Sequence, residues 1–176
     1  MGEKVITISG LPGSGTTTVA KLLAEKTGMK YLNVGMIFRE MAEKYKMDLQ
    51  SFERYCEEHP RIDRELDMEQ EKIMRKGNII MEGRLSGWIA HLKKIPSLKI
   101  WLDCDEDERM RRIVEREGGE EREKKRETKE RIESEKRRYE KFYGIHLDDM
   151  SIYDMVIDTT NIPPEKIVEM ILERID

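Results

Sequence analysis

The 176-residue chain contains few cysteines and histidines and no long apolar segment. Its two cysteines, Cys56 and Cys104, lie far apart and match no metal-ligand spacing, so we expect reduced thiols rather than a disulfide framework. The three histidines, His59, His91 and His146, are scattered, which argues against a zinc site. No apolar run approaches the ~20 residues that a membrane span requires. We therefore expect a soluble, cytoplasmic protein that does not bind a membrane.

Charged residues are abundant, at 40% of the chain, and the net charge is −4. A dedicated nucleic-acid-binding surface is usually strongly basic, so this balance argues against such a function. The most highly charged segment, residues 120–141, has almost as many glutamates as basic residues. Its opposite charges four residues apart are typical of a solvated helix. We expect small-molecule partners, no nucleic acid, and a monomer.

Short apolar or β-branched runs alternate with helical patterns along the chain. Asp48 is a predicted N-cap, Pro60 a predicted helix start, and Gly28, Gly77 and Gly118 predicted helix ends. This alternation predicts an α/β fold, a parallel sheet of about five strands with helices on both faces. The five predicted strands are residues 5–9, 31–34, 78–82, 98–103 and 155–158.

A glycine-rich turn separates the first predicted strand from the first predicted helix. Such a loop exposes backbone N–H groups at a helix N-terminus and so binds the phosphates of a nucleotide such as ATP. The position of Thr17 is that of the Ser or Thr that binds Mg²⁺ in this motif. The loop consists of Gly10, Leu11, Pro12, Gly13, Ser14, Gly15, Thr16, Thr17 and Thr18.

The loop departs from the usual motif at one position, because Thr16 occupies the place of the lysine that contacts the β- and γ-phosphates. Two interpretations remain open. The chain is either a nucleotide-binding protein without catalysis, or a kinase in which another cation replaces the lysine. Arginine from a mobile lid is the obvious substitute.

The loop and five further segments together resemble cytidylate kinases of the short, archaeal type, over essentially the whole chain. This resemblance implies transfer of the γ-phosphoryl group of ATP to CMP or dCMP, with Mg²⁺ as cofactor. A kinase for another nucleoside monophosphate stays an alternative, because the phosphate loop does not discriminate between acceptors. The segments are residues 34–39, 59–67, 82–88, 143–145 and 151–154.

The resemblance also implies one P-loop kinase domain, residues 1–176, with three parts. The core comprises residues 1–34, 77–117 and 143–176. A helical region at about 35–76 binds the monophosphate, and a lid at about 118–142 closes over the transferring phosphate.

Five residues are expected to bind the acceptor. Arg39 and Arg84 match arginines that hold the monophosphate in the family, and a guanidinium binds phosphate through two hydrogen bonds. Asp63, Arg64 and Asp67 share one predicted helix. A carboxylate there accepts a hydrogen bond from the exocyclic amine of cytosine, whereas the O4 of uracil repels it.

Four arginines are expected to act on the donor and the transferring phosphate. Arg112 and Arg116 resemble the pair at the base of the lid, of which one contacts adenine and one the phosphates. Arg112 is expected to act in catalysis and Arg116 to bind ATP. Arg131 and Arg138, seven residues apart and so on one helical face, resemble the catalytic lid arginines.

One carboxylate at a strand end is expected to assist Thr17 in binding Mg²⁺. We select Asp103, which ends an apolar strand as the acidic residue of a Walker B motif does, and keep Glu82 as its rival.

Overall fold

A computed structural model describes residues 4–175. Residues 1–3 and residue 176, the two ends of the predicted domain, lie outside the described part. The strands are β1 Val5–Gly10, β2 Lys30–Asn33, β3 Ile79–Glu82, β4 Leu98–Asp103 and β5 Met155–Asp158. The helices are α1 Thr16–Thr27, α2 Val34–Lys44, α3 Leu49–Glu58, α4 Arg61–Lys76, α5 Ser86–Leu92, α6 Glu106–Glu117, α7 Glu121–Tyr143 and α8 Pro164–Ile175.

The five strands form one parallel sheet in the order β2-β3-β1-β4-β5. This arrangement confirms the predicted α/β class. Strand β1 is central, so the loop that follows it opens at the carboxyl edge of the sheet, where neighbouring strands also end. Ligands of open α/β sheets bind at this edge, at the point where the strand order reverses.

The sheet is covered on both faces, as predicted. Helices α1 and α8 pack against one face around Leu23, Ile100 and Ile171, and each of these side chains is fully buried. Helices α2 to α5 cover the other face around Phe52 and Met81, which are also fully buried. Alternate residues of β1 serve the two faces, so the strand is buried throughout.

The predicted helix ends are confirmed at several positions. The Asp48 carboxylate accepts a hydrogen bond from the Ser51 backbone N–H, as an N-cap does. Gly28 ends α1 with a positive φ of 73° and donates its N–H to the Ala24 carbonyl. Pro60 directly precedes α4, and its fixed φ suits a helix start.

Helix α5 was not predicted, because its seven residues include Gly87, a poor helix former. Packing explains the glycine. A Cβ atom at Gly87 would lie 2.7 Å from the ring of Tyr153. The glycine therefore lets α5 approach the segment before β5, and tertiary contact outweighs the low helix propensity. Within residues 4–175, no helix is both long enough and apolar enough to cross a membrane.

Candidate active site

A cavity of about 700 Å³ opens at the carboxyl edge of the sheet. Residues from the P-loop helix, α2, α4, the β3–α5 loop, α6 and α7 line it. Six arginines face this one cavity, together with the carboxylates of Asp63, Asp67 and Glu82. The arginines are Arg39, Arg64, Arg84, Arg116, Arg131 and Arg138.

The glycine-rich loop, residues 10–18, has the geometry of an anion-binding turn. Gly13 and Gly15 adopt positive φ values of 86° and 89°, and α1 begins directly after them at Thr16. A Cβ atom at Gly13 would lie 2.6 Å from the Arg109 carbonyl oxygen, so a side chain does not fit there. The hydroxyl of Ser14 is buried without a partner among the described residues. The loop therefore fits the phosphates of a nucleotide.

Glu82 accepts hydrogen bonds from three hydroxyl groups beside this loop. Thr16 and Thr17 each donate to its Oε2 at 2.8 Å, and Tyr31 donates to Oε1. Burial, followed by the hydrogen bond to Glu82, raises the pKa of Tyr31 to about 12, so its proton is retained. Hydroxyl and carboxylate oxygens are the ligands that Mg²⁺ prefers, and Thr17 with Glu82 fits that ion.

Asp103 occupies a different place. It ends β4 with an exposed side chain, and the lining of the large cavity does not include it. Glu82, which the sequence analysis kept as the rival, lies next to Thr17 instead. The difference arises because β3, not β4, is the neighbour of β1 on the side where the cavity opens.

The expected acceptor residues converge. Arg39 of α2, Asp63, Arg64 and Asp67 of α4, and Arg84 after β3 all line the cavity. The Tyr143 hydroxyl, at the end of α7, donates a short hydrogen bond to Oδ2 of Asp67. That contact joins the end of the predicted lid to the predicted monophosphate-binding region.

Burial raises the pKa of Asp67 to about 6. Repulsion from Asp63 adds to the increase, whereas the Tyr143 hydrogen bond and the charge of Lys93 oppose it. Burial also raises the pKa of Asp63, while the charge of Arg138 lowers it. Two partly desolvated carboxylates therefore face the cavity from one helix, each lacking the full compensation that water would give.

Arg84 is the most constrained of the arginines. Its Nε and Nη2 donate to the two carboxylate oxygens of Glu135 at 2.6 and 2.9 Å, and its Nη1 lies 3.4 Å from the Gly10 carbonyl oxygen. Both side chains of the ion pair are largely buried, 17% and 8% exposed. Burial lowers the pKa of Arg84, but the hydrogen bond and charge of Glu135 outweigh it and raise that pKa.

The two lid arginines both reach the cavity. Arg131 and Arg138 lie on α7, two turns apart, and both line it. Arg131 contacts Glu135 at 3.4 Å, and its side chain is 67% exposed. Arg138 lies over the ring of Tyr139.

The two arginines predicted on α6 line different cavities. Arg116 lines the large cavity, whereas Arg112 lines a smaller one on the other side of the P-loop. Arg112 donates to the Gly13 carbonyl and to both oxygens of Thr159. It is therefore fixed against the outer side of the loop, away from the acceptor side. The expected roles of the two arginines, in catalysis and in ATP binding, stay predictions.

Sequence reasoning missed the contribution that α7 makes beyond its arginines. Tyr139, Phe142 and Tyr143 line the cavity, and Glu135, which is not part of the lining, pairs with Arg84. The signal for them was their spacing. Together with the buried Ile132, they form a stripe along one helical face, and a glutamate within such an otherwise apolar stripe requires a buried partner.

Comparison with known sequences agrees with this geometry. The sequence model of the "Cytidylate kinase-like family" matches residues 5–161. A cytidylate kinase of Archaeoglobus fulgidus is 46% identical over 172 residues, which cover 97% of this chain and 94% of that protein. A cytidylate kinase of Methanocaldococcus jannaschii is 44% identical and covers 98% and 97% of the two chains.

Solved structures with the same fold are more distant in sequence. An uncharacterized protein from Eubacterium ventriosum superimposes with a TM-score of 0.74 at 21% identity over 99% of both chains. A shikimate kinase from Bacteroides thetaiotaomicron has a TM-score of 0.65 at 15% identity, again over 99% of both chains. At this identity the likeness concerns the fold alone, and it agrees with the α/β class of the five-stranded parallel sheet.

Proposed function

Because the chain belongs to the cytidylate kinase-like family, an enzyme family, we propose that it transfers the γ-phosphoryl group of ATP to CMP and dCMP. In this reaction the bond between the γ-phosphorus and its bridging oxygen breaks. A 5′-phosphate oxygen of the acceptor forms the new bond, which gives ADP and CDP or dCDP. The carrying observation is that six arginines and two carboxylates of α4, Asp63 and Asp67, share one cavity beside the phosphate loop.

The negative charge of the two nucleotides explains why so many arginines line the cavity. A doubly charged monophosphate has to approach a highly charged triphosphate, and the transferring group spreads negative charge over its oxygens. Arg39 and Arg84 bind the acceptor phosphate in this proposal. Arg116, Arg131 and Arg138 face the transferring group, so their charge replaces that of the absent P-loop lysine.

The donor nucleotide binds along residues 10–18, with Arg112 at its outer side. Thr17 and Glu82 are the residues that would hold Mg²⁺, and such an ion, when bound, neutralises phosphate charge. We prefer Glu82 to Asp103 because its carboxylate already lies within hydrogen-bond distance of the Thr17 hydroxyl. Rotation of the Thr16 and Thr17 hydroxyl groups toward other acceptors would leave Oε2 available to such an ion.

Base selection rests on α4. The Tyr143 hydroxyl holds Oδ2 of Asp67. Oδ1 remains for the exocyclic amine of cytosine, and Arg64 lines the same side of the cavity. A site that pairs a polar group discriminates strongly against an analogue that leaves the group unpaired.

The same observations support the proposed division of the chain. Residues 35–76 supply the acceptor side of the cavity, and α7 supplies its cover. In this proposal the lid, predicted at about 118–142, consists mainly of α7, Glu121–Tyr143.

A second candidate function is nucleotide binding without catalysis. The presence of Thr16 at the position of the usual lysine favours it. Phosphorus NMR of a mixture with ATP, Mg²⁺ and CMP distinguishes the two. A kinase produces ADP and CDP in equal amounts, and ATP stays intact when CMP is omitted. Binding of ATP without any CDP would support the second candidate and refute the first.

A further inference from the structure

Glu135 was not among the expected site residues, yet with Arg84 it forms the most buried of the described ion pairs, and Arg84 lines the cavity. It lies on α7 and contacts two arginines at once, Arg84 after β3 and Arg131 one turn earlier on its own helix. A buried carboxylate costs free energy unless it is fully paired, so a position of this kind indicates a specific task.

The geometry of the pair leaves part of the Arg84 guanidinium available. Glu135 occupies the edge formed by Nε and Nη2. The remaining N–H groups, on Nη1 and the outer side of Nη2, form the second edge, and Nη1 lies beside the Gly10 carbonyl at the start of the phosphate loop. A guanidinium that is paired on one edge still binds a phosphate through two hydrogen bonds on the other edge.

We propose that Glu135 is a positioning residue, which orients the free edge of Arg84 toward the acceptor phosphate and holds the lid helix α7 against the core. This inference rests on the proposed function, because it assumes that Arg84 binds the monophosphate. Glu135 contacts no reacting atom and acts through Arg84.

The Arg84 side chain has few other constraints. Apart from Glu135 and the long contact to Gly10, the neighbouring polar group is the hydroxyl of Tyr139, which hydrogen-bonds to Arg84. Burial raises the pKa of Tyr139 to about 12. Tyr139 thus stays neutral and does not replace the carboxylate. Without Glu135 the guanidinium loses its two shortest hydrogen bonds, and ordering it again on binding costs rotamer entropy. Preorganisation of this kind raises affinity by removing that cost.

The opposite role is also physically conceivable, since a carboxylate on an arginine competes with phosphate for it. The two roles predict opposite signs. If Glu135 positions Arg84, it strengthens acceptor binding, so its loss weakens the binding of CMP. A competing Glu135 blocks the arginine, so its loss strengthens CMP binding.

The experiment uses Glu135→Gln, which preserves the shape of the side chain and removes its charge. Calorimetry measures the Kd of CMP and, separately, of ATP for the wild type and the variant. Glu133→Gln is the matched control, because Glu133 is exposed on the same helix. We expect CMP binding to weaken about tenfold or more in Glu135→Gln, as for loss of a charged hydrogen-bond partner. ATP binding should change less than twofold, and the control should resemble the wild type.

A double-mutant cycle tests whether the effect passes through Arg84. In an Arg84→Lys background, Glu135→Gln should add little further loss of CMP affinity, since a lysine has no planar edge to orient. Additive losses would overturn the proposal, and so would unchanged or tighter CMP binding in the single variant. Glu135→Asp, which retains the charge on a shorter side chain, should recover part of the affinity and serves as the readout if Glu135→Gln does not fold.

Failure of this proposal and failure of the proposed function give different results. If the wild-type protein forms no CDP but Glu135→Gln still weakens CMP binding through Arg84, the positioning role stands and the kinase assignment fails. If CDP forms while Glu135→Gln binds CMP normally, the kinase assignment stands and the positioning role fails.

Discussion

Replacement of Asp67 by asparagine should change which base the enzyme accepts. The Tyr143 hydroxyl donates to one oxygen of Asp67, which leaves the other oxygen available to a ligand. In the proposed function that carboxylate oxygen accepts a hydrogen bond from the amine of cytosine. In Asp67→Asn it becomes an amide N–H₂, which repels the cytosine amine and donates to the O4 of uracil. The CMP preference should therefore fall and the UMP activity should rise.

The size of the change follows from the lost interaction. A hydrogen bond to a charged group contributes roughly 1.5–3 kcal/mol, and each ~1.4 kcal/mol corresponds to a factor of ten. The ratio of kcat/KM for CMP to that for UMP should fall by about 10- to 150-fold. Asp107→Asn is the control, since the Asp107 side chain is 90% exposed and distant from the cavity.

The pH dependence gives an independent check on the same residue. With its pKa near 6, Asp67 is ionised above that pH and neutral below it. Because Tyr143, Asp63 and Lys93 face the carboxylate, its titration depends on all three. The CMP preference of the wild type should decline as the pH falls through about 6, whereas that of Asp67→Asn should stay flat. Steady-state kinetics with each acceptor, measured across this pH range, test the prediction. A CMP-to-UMP ratio in Asp67→Asn equal to that of the wild type, or with the same pH dependence, would refute the reasoning.

Three further predictions concern the arginines and the phosphate loop. Arg39→Ala should raise the KM for CMP through loss of ~2–4 kcal/mol of binding and leave the KM for ATP nearly unchanged; a rise in the KM for ATP alone would place Arg39 at the wrong substrate. Arg131→Ala or Arg138→Ala should lower kcat by up to the order of 10³ with little effect on ATP binding, because the lid acts on the transition state. Arg137→Ala, exposed on the same helix, is the control, and near-normal kcat in both lid variants would contradict the assignment. Thr16→Lys should remain active, since an ammonium at this position lies beside the phosphates; complete loss of turnover would show that the loop does not tolerate a lysine.

Much of the fold was predictable because its signals are local. The β-branched run at Val5–Ile8, the glycines of the phosphate loop and the Asp48 cap each determine their own segment, and all three match the structure. Helix α5 was not predictable, because Gly87 lowers helix propensity. The contact that favours the helix is with Tyr153, a residue far away in the sequence.

The candidate site was predictable to a different extent. Its arginines are visible as charges in suitable places, so Arg39, Arg84, Arg131 and Arg138 were found before the structure, and all four line the cavity. The residues that pair with these arginines could not be identified from the sequence. Glu135 looks like one of many glutamates in a charged helix, and only its burial next to Arg84 distinguishes it.

Relative positions also required the tertiary structure. The choice between Asp103 and Glu82 depends on strand order, because both residues end apolar strands in the sequence. The sheet brings β3, not β4, to the side of β1 where Thr17 faces the cavity, and Glu82 is the carboxylate that contacts it. In the same way, Arg112 and Arg116 are one turn apart on α6 but line separate cavities.

The most direct test of the account is a panel of acceptors with ATP and Mg²⁺, in which kcat/KM is measured for CMP, dCMP, UMP and AMP by coupled detection of ADP. The account predicts rapid turnover of CMP and dCMP and a large preference for both over UMP and AMP, because Asp67 pairs with the amine of cytosine. Equal turnover of CMP and UMP would contradict the proposed base recognition, and no turnover of any acceptor would contradict the proposed phosphoryl transfer.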